Sequence, residues 1–156
     1  MDKHPVVKRL YSPVIILAAC LVILMLFTAC GSAPQSKLSI WRGKNIRSYH
    51  YQLRINCFCP PEITSPVTVE VRSGELASIR YTEDGRPVTN EFFNRFTTID
   101  KLFDILREAE ERKADRISAE YDPVYGFPTN VFIDYLFSAA DEELGFAFTG
   151  FTPLQD

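Results

Sequence analysis

The sequence predicts an α+β domain in which an antiparallel sheet of about six strands, ordered βββ-α-βββ along the chain, is covered by one amphipathic helix. Apolar and polar residues alternate with period two in several short segments, which is typical of half-buried strands. Tight-turn residues join consecutive strands, which favours antiparallel pairing. One segment after residue 97 has apolar residues at helical spacing instead. With 46% hydrophobic and 24% charged residues, the 156-residue chain has the composition of one globular domain with an appendage.

Residues 1–29 have the composition of a secretory signal peptide. A basic start is followed by residues 14–29, which contain no charged side chain. These 16 residues are fewer than the roughly 20 that a membrane-spanning helix needs. The segment ends in Phe27-Thr28-Ala29-Cys30, which resembles the lipobox of bacterial lipoprotein precursors. The resemblance implies cleavage before Cys30 and attachment of a diacylglycerol, with acyl chains such as palmitate, to its thiol.

Two alternatives to this processing site remain open. Leu17-Ala18-Ala19-Cys20 also matches a lipobox, but cleavage there would leave the apolar residues 21–27 on the mature protein. In the second alternative, residues 1–29 are an uncleaved membrane anchor, and their basic flank stays in the cytoplasm. In every case we expect an exported domain, on the extracytoplasmic side of the cell membrane. Gly31 follows the cysteine, which by the resemblance implies sorting to the outer membrane in a diderm bacterium.

The predicted mature chain is acidic. Three of the 17 basic residues and one of the 20 acidic residues precede Cys30, which leaves a formal charge of −5. Nucleic acid is therefore not an expected partner, and anionic headgroups repel the domain, so membrane attachment depends on the lipid on Cys30. We expect residues 30–37 to form the lipidated cysteine and a polar tether of roughly 25 Å, and residues 38–156 to form one domain.

The N-terminal half of this domain contains three predicted strands. Residues 38–47 are expected to form a short helix, and residues 48–57 the first strand. A hairpin follows, in which residues 67–72 and 76–81 are joined by Ser73-Gly74. After a turn at residues 83–85, the segment up to residue 96 has no clear period, and we expect its three phenylalanines to pack as a covering loop.

The clearest predicted helix begins after Thr97 or Thr98, either of which can accept hydrogen bonds from its free amides. Its exposed face pairs Asp104 with Arg107 and Glu108 with Arg112. Its apolar face comprises Ile99, Leu102, Phe103, Leu106 and Ala109.

Three further strands are predicted at 116–121, 129–137 and 144–151. They are separated by an Asp122-Pro123 turn and an acidic tip at 141–143.

Cys57 and Cys59 are the only cysteines after Cys30. In a strand both side chains point to one face, with Cα atoms about 6.6 Å apart, so a disulfide between them requires a local bend. Export would supply the oxidising condition. The pair therefore has three interpretations: a structural disulfide, two free or buried thiols, and redox or metal chemistry. A metal would need further ligands, and His50 points to the other strand face.

Residues 121–128, Tyr-Asp-Pro-Val-Tyr-Gly-Phe-Pro, form the most unusual local sequence. One interpretation is structural, in which the segment is a rigid connection between two strands. The other is functional, in which it is a partner-binding loop, because exposed aromatic residues contribute contact area with little loss of entropy. The candidate binding residues are Tyr121, Asp122, Tyr125 and Phe127.

No catalytic motif is present in the sequence. It has no Gly-rich phosphate loop, HExxH or GxSxG, and one histidine follows Cys30. Four acidic residues could suggest paired carboxylates or a calcium site: Asp134, Asp141, Glu142 and Glu143. They do not have EF-hand spacing and are more simply solvated. We therefore expect no catalytic residues, no bound metal and no cofactor.

Several motifs lie between residues 41 and 151: Trp41 with Asn45-Ile46 and Tyr49, Cys57-Phe58-Cys59-Pro60, Val69–Gly74, Thr98-Ile99 with Leu102-Phe103, Tyr121-Asp122-Pro123 with Tyr125-Gly126 and Pro128, and Asp134. With these motifs, most of residues 41–151 resemble a family of small bacterial secreted lipoproteins classed as a domain of unknown function. The resemblance implies the fold but no reaction. We therefore expect a non-enzymatic envelope lipoprotein that binds another protein or a cell-wall component, or serves as a structural module. An inhibitor of a secreted hydrolase is one special case, and a thiol or metal protein acting through Cys57 and Cys59 is the alternative.

Overall fold

A computed structural model of the chain describes residues 33–139 and 141–155. The predicted α+β fold with six antiparallel strands is confirmed, and the strand order across the sheet is β3-β2-β1-β6-β5-β4. The predicted signal peptide and Cys30 lie outside the described residues. The elements in chain order are α1 (Ala33–Gly43), β1 (Tyr49–Cys57), α2 (Pro61–Thr64), β2 (Val67–Arg72), β3 (Glu75–Tyr81), a 3-10 helix (Glu91–Phe96), α3 (Ile99–Glu111), β4 (Arg116–Tyr121), β5 (Pro128–Asp134) and β6 (Glu143–Pro153).

The two groups of three strands meet where β1 pairs with β6 at the centre of the sheet. Leu53 of β1 lies opposite Val67 of β2 on one side and Phe148 of β6 on the other. The predicted hairpin turn has φ of 49° at Ser73 and 86° at Gly74. Positive φ at both central residues is what a type I′ turn requires, and its twist matches that of the flanking strands.

Helix α3 covers one face of the sheet, as predicted. The Thr98 hydroxyl accepts a hydrogen bond from Lys101 N at 3.3 Å, and every apolar side chain predicted to face the core is buried. Two tyrosines of β1 hold the segment that leads into the helix. Ile99 N donates to Tyr49 Oη at 3.0 Å, and Tyr51 Oη donates to the Phe96 carbonyl at 2.6 Å. Burial raises the pKa of Tyr49 to about 12.

The N-terminal helix is displaced from its prediction. It spans Ala33–Gly43 instead of residues 38–47, so residues 33–37, expected in the extended tether, are helical. Pro34 is tolerated because the first turn of a helix needs no donor at that position. Asn45 has a φ of 53°, which stops the helix from continuing. The buried Trp41 holds α1 against the domain, since its Nε1 donates to Asp100 Oδ2 at 3.1 Å.

Other elements also differ from the prediction. β5 ends at Asp134 and not at residue 137, because Asp134 Oδ1 accepts a hydrogen bond from Leu136 N at 3.1 Å and turns the chain. The segment before α3 contains the 3-10 helix, in which Phe93 and Phe96 are buried as a covering layer. None of the helices among the described residues is long and apolar enough to cross a membrane.

The sheet has two ends that differ in their neighbours. We call the end where β1 begins, beside α1, the proximal end, and the end where β1 reaches Cys57 the distal end. Nine residues of β1 separate them by about 26 Å. On the sheet face away from α3, the side chains of β1 are polar and mostly exposed: His50, Gln52, Arg54 and Asn56.

Candidate functional site

The aromatic loop 121–128 lies at the proximal end and is held by Asp122. The Asp122 carboxylate accepts hydrogen bonds from Val124 N at 2.8 Å and Tyr125 N at 2.7 Å. Its backbone amide donates to the Phe127 carbonyl at 2.8 Å, and its own carbonyl accepts from Gly126 N at 2.9 Å. These four bonds close the loop on itself, as expected of a rigid connection between strands.

The aromatic side chains of this loop point mainly into the domain. Phe127 is buried, and its ring lies 6.0 Å from that of Trp41 and 4.6 Å from that of Phe148. Tyr121 stacks on Phe103, and Tyr125 packs against Phe151 at 4.9 Å between ring centres. A buried Phe127 offers no contact area to a partner, so the geometry favours the structural interpretation of the loop.

Gly126 brings the loop against α1. Its φ is 81°, and a Cβ built on it would lie 2.9 Å from the Lys37 carbonyl oxygen and 3.0 Å from the Ile40 side chain. Only glycine fits this position without a backbone shift, for steric as well as conformational reasons. The loop and the N-terminal helix are therefore one packed unit.

Cys57 and Cys59 lie at disulfide distance at the distal end of the sheet, with Cα atoms 5.2 Å apart. The chain bends here as the predicted disulfide required, and Pro60 leads directly into α2. Both sulfur-bearing side chains pack against the core. The residue between them, Phe58, is 87% exposed.

A second exposed apolar segment lies at the same end, two strands away. Cys57 pairs with Leu144, and Leu144 pairs with Ile133 near the end of β5. Leu136 and Phe137 follow β5 and are 48% and 70% exposed. Two strand spacings amount to about 10 Å. We call Phe58, Leu136 and Phe137 the tip surface.

Hydrogen bonds to backbone amides fix the turn that carries Leu136 and Phe137. Phe137 N donates to Asp115 Oδ2 at 2.9 Å, and the Asp134 carboxylate accepts from Leu136 N. Beneath this turn, the Arg112 guanidinium lies 4.0 Å from the centre of the Tyr135 ring. The backbone that carries Leu136 and Phe137 is therefore fixed, while their side chains remain 48% and 70% exposed.

Three exposed carboxylates flank the tip surface: Asp141, Glu142 and Glu143. Asp134, expected to be solvated with them, is instead buried and occupied with the Leu136 amide. No group of three potential metal ligands occurs among the residues that the structure describes. These acids give the distal end a negative rim around an apolar centre.

The cavity at the other side of the distal end is polar. It has a volume of about 570 Å³ and lies between Glu62, Tyr81 and Asp84. Arg86 donates to Asp84 at 2.6 Å, and this hydrogen bond lowers the pKa of Asp84. Tyr81 Oη donates to the Glu62 carbonyl at 3.1 Å. The Tyr81, Asp84 and Arg86 side chains are thus engaged in hydrogen bonds within the cavity wall, and the residues lining the cavity include no serine–histidine or cysteine–histidine pair.

Fold and surface together define a small α+β domain with an apolar, acid-rimmed tip. A family model described as a family of unknown function (DUF6174) matches residues 35–153, and the chain belongs to that family. No curated protein and no solved structure matches the chain. The expected resemblance to a domain of unknown function is thereby confirmed.

The tip surface was not among the sequence-predicted site residues. The signal for Phe58 was present, because two core-facing cysteines in a strand place the residue between them on the opposite face. Leu136 and Phe137 were missed because they continue the apolar character of β5, and the turn at Asp134 depends on a side-chain hydrogen bond.

Proposed function

We propose that this chain is a lipid-anchored lipoprotein of the bacterial cell envelope whose domain is a non-enzymatic binding module. Cys30 carries the lipid, and the tip surface binds a partner. The observation that carries the binding part is Phe58, which is 87% exposed between two cysteines at disulfide distance. A large apolar side chain held rigidly in solvent is the feature that protein interfaces use as an anchor.

The tip surface lies at the distal end of the sheet, where Asp141, Glu142 and Glu143 flank it. The acidic rim supports a protein partner over a lipid surface, because anionic headgroups repel carboxylates, and it favours a partner with basic residues around an apolar pocket.

The anchoring part is tested by metabolic labelling with a fatty acid. The wild type and Cys20→Ser should incorporate the label, and Cys30→Ser should not. Mass spectrometry of the N-terminal peptide should place the modification on residue 30. Label on residue 20, or on neither cysteine, would contradict the proposed anchor and leave the binding proposal to its own test.

The binding part is tested with matched surface variants. Phe58→Ser removes the centre of the tip surface, while Val124→Ser removes an apolar side chain that is 58% exposed at the proximal end. Envelope proteins retained by the wild type and Val124→Ser but lost with Phe58→Ser would support the proposal. Equal retention by all three would refute it, and retention of purified cell wall instead would identify a cell-wall partner.

The disulfide also supports a second candidate, thiol–disulfide exchange through Cys57 and Cys59. The Cys57→Ser/Cys59→Ser variant separates the two functions. Loss of a reductase or oxidase activity in a defined thiol assay would support exchange, whereas loss of partner binding without any such activity would support a structural bridge. Inhibition of a secreted hydrolase by the wild type, and not by Phe58→Ser, would identify the partner as that enzyme.

A further inference from the structure

The two edge strands of the sheet are protected differently. The outer edge of β3 is partly covered by the chain that follows it, since Arg80 forms a bridge with Pro87 and Val88 N donates to the Ile79 carbonyl at 3.1 Å. Among the described residues, no backbone segment pairs with the outer edge of β4. An uncovered edge with unpaired amides and carbonyls is a template for another strand.

The sequence of β4 is complementary to itself. If a second β4 pairs antiparallel to the first about Ser118, Arg116 lies opposite Glu120 of the other copy, and the same pair forms twice. Ile117 then lies opposite Ala119. All of these pairs keep residues of one sheet face together, as antiparallel pairing requires.

Neither charged residue has an ion-pair partner within the described chain. Arg116 and Glu120 are four residues apart in a strand, about 13 Å, so they cannot pair with each other. The Arg116 guanidinium lies 5.7 Å from the Phe132 ring centre on the open face, and Arg116 and Glu120 are both exposed. Both charges are available to a second copy.

Neighbouring registers lack this match. Pairing about Ile117 places Arg116 opposite Ser118 and leaves its charge unmatched. Pairing about Ala119 places Arg116 opposite Asp122, whose carboxylate already accepts hydrogen bonds from two loop amides. A shift by one residue would put core-facing side chains opposite those of the open face.

We propose that two copies of this chain associate through β4, antiparallel about Ser118, to form one continuous twelve-stranded sheet. The interface is isologous, as in most homodimers. Its two-fold axis is perpendicular to the sheet, so the helices of both copies lie on the same side. Opposite charges facing each other across the joined strands provide the preference for this register.

Cross-linking tests the register. Only residue 118 meets its own copy at the axis, so Ser118→Cys should form a covalent dimer on mild oxidation of the full chain in detergent. Ser78→Cys, on the same face of the opposite edge strand β3, is the matched control and should stay monomeric. Equal cross-linking of both variants, or none with Ser118→Cys, would overturn the proposal.

Charge complementation tests the contact itself. Sedimentation should show a dimer for the wild type and a monomer for Arg116→Glu or Glu120→Arg alone, because each change turns both attractive pairs into repulsive ones. An equimolar mixture of the two variants should sediment as a heterodimer, since the glutamate introduced at position 116 of one copy then faces the arginine introduced at position 120 of the other. A monomeric wild type, a dimeric Arg116→Glu, or a mixture that stays monomeric would each overturn the proposal.

Discussion

Replacing Gly126 by alanine tests whether the loop 121–128 is a structural clamp for α1. Alanine at a φ of 81° costs about 1–2 kcal/mol in backbone conformation. Its Cβ would also lie 2.9 Å from a backbone oxygen of α1, and relieving such overpacking costs roughly 1–3 kcal/mol more. We therefore expect Gly126→Ala to lower the free energy of unfolding by about 3 kcal/mol.

Gly85 provides the matched control. Its φ is 71°, but a Cβ there has nothing within 4 Å, so Gly85→Ala should show the conformational cost alone, about 1–2 kcal/mol. Urea unfolding can be followed by the fluorescence of the single tryptophan, Trp41, which packs against Phe127. Equal losses of stability for the two variants would refute the close approach between the loop and α1.

Three further predictions concern Tyr49, the bridge between Cys57 and Cys59, and Phe58 of the tip surface. Because burial raises the pKa of Tyr49 from 10.0 to about 12, its neutral form stabilises the fold below pH 10. About 3 kcal/mol is therefore lost as the pH rises towards 12. Tyr49→Phe should flatten the fall in urea midpoint between pH 8 and pH 11, and an unchanged slope would contradict this. Reducing the bridge between Cys57 and Cys59 should lower the free energy of unfolding by only about 1.5 kcal/mol, because the bridge closes a very short loop. Complete unfolding on reduction would contradict that value. Phe58→Ser should change stability by less than about 0.5 kcal/mol because the side chain is exposed, and a larger loss would mean that Phe58 packs against the domain.

The strands and α3 were predictable because their signals are local. Alternation along β1 and β2 and the four-residue spacing in α3 follow directly from the faces that each element buries. The pairing of β1 with β6 was not predictable, since His50 and Thr152 lie far apart in the chain and no local pattern records their register. The start of α1 was missed because Ala33 to Lys37 show no apolar period.

The site illustrates the same limit. The common face of Cys57 and Cys59 followed from strand geometry, and it also implied an outward Phe58. For the aromatic residues of the loop 121–128, local sequence predicts either a rigid connection between strands or a contact surface for a partner. Their actual partners, Trp41 and Phe151, belong to elements distant in sequence, so their burial is a tertiary property that no local pattern shows.

Photocrosslinking in cells tests the central claim, that the tip surface binds a partner in the envelope. A photoreactive amino acid placed at position 58 and, separately, at position 137 should yield adducts of the same mass, because both side chains are exposed at the distal end of the sheet. The same group at position 124, exposed at the proximal end, should not yield that adduct. Adducts at position 124 alone, or different adducts at 58 and 137, would contradict the account.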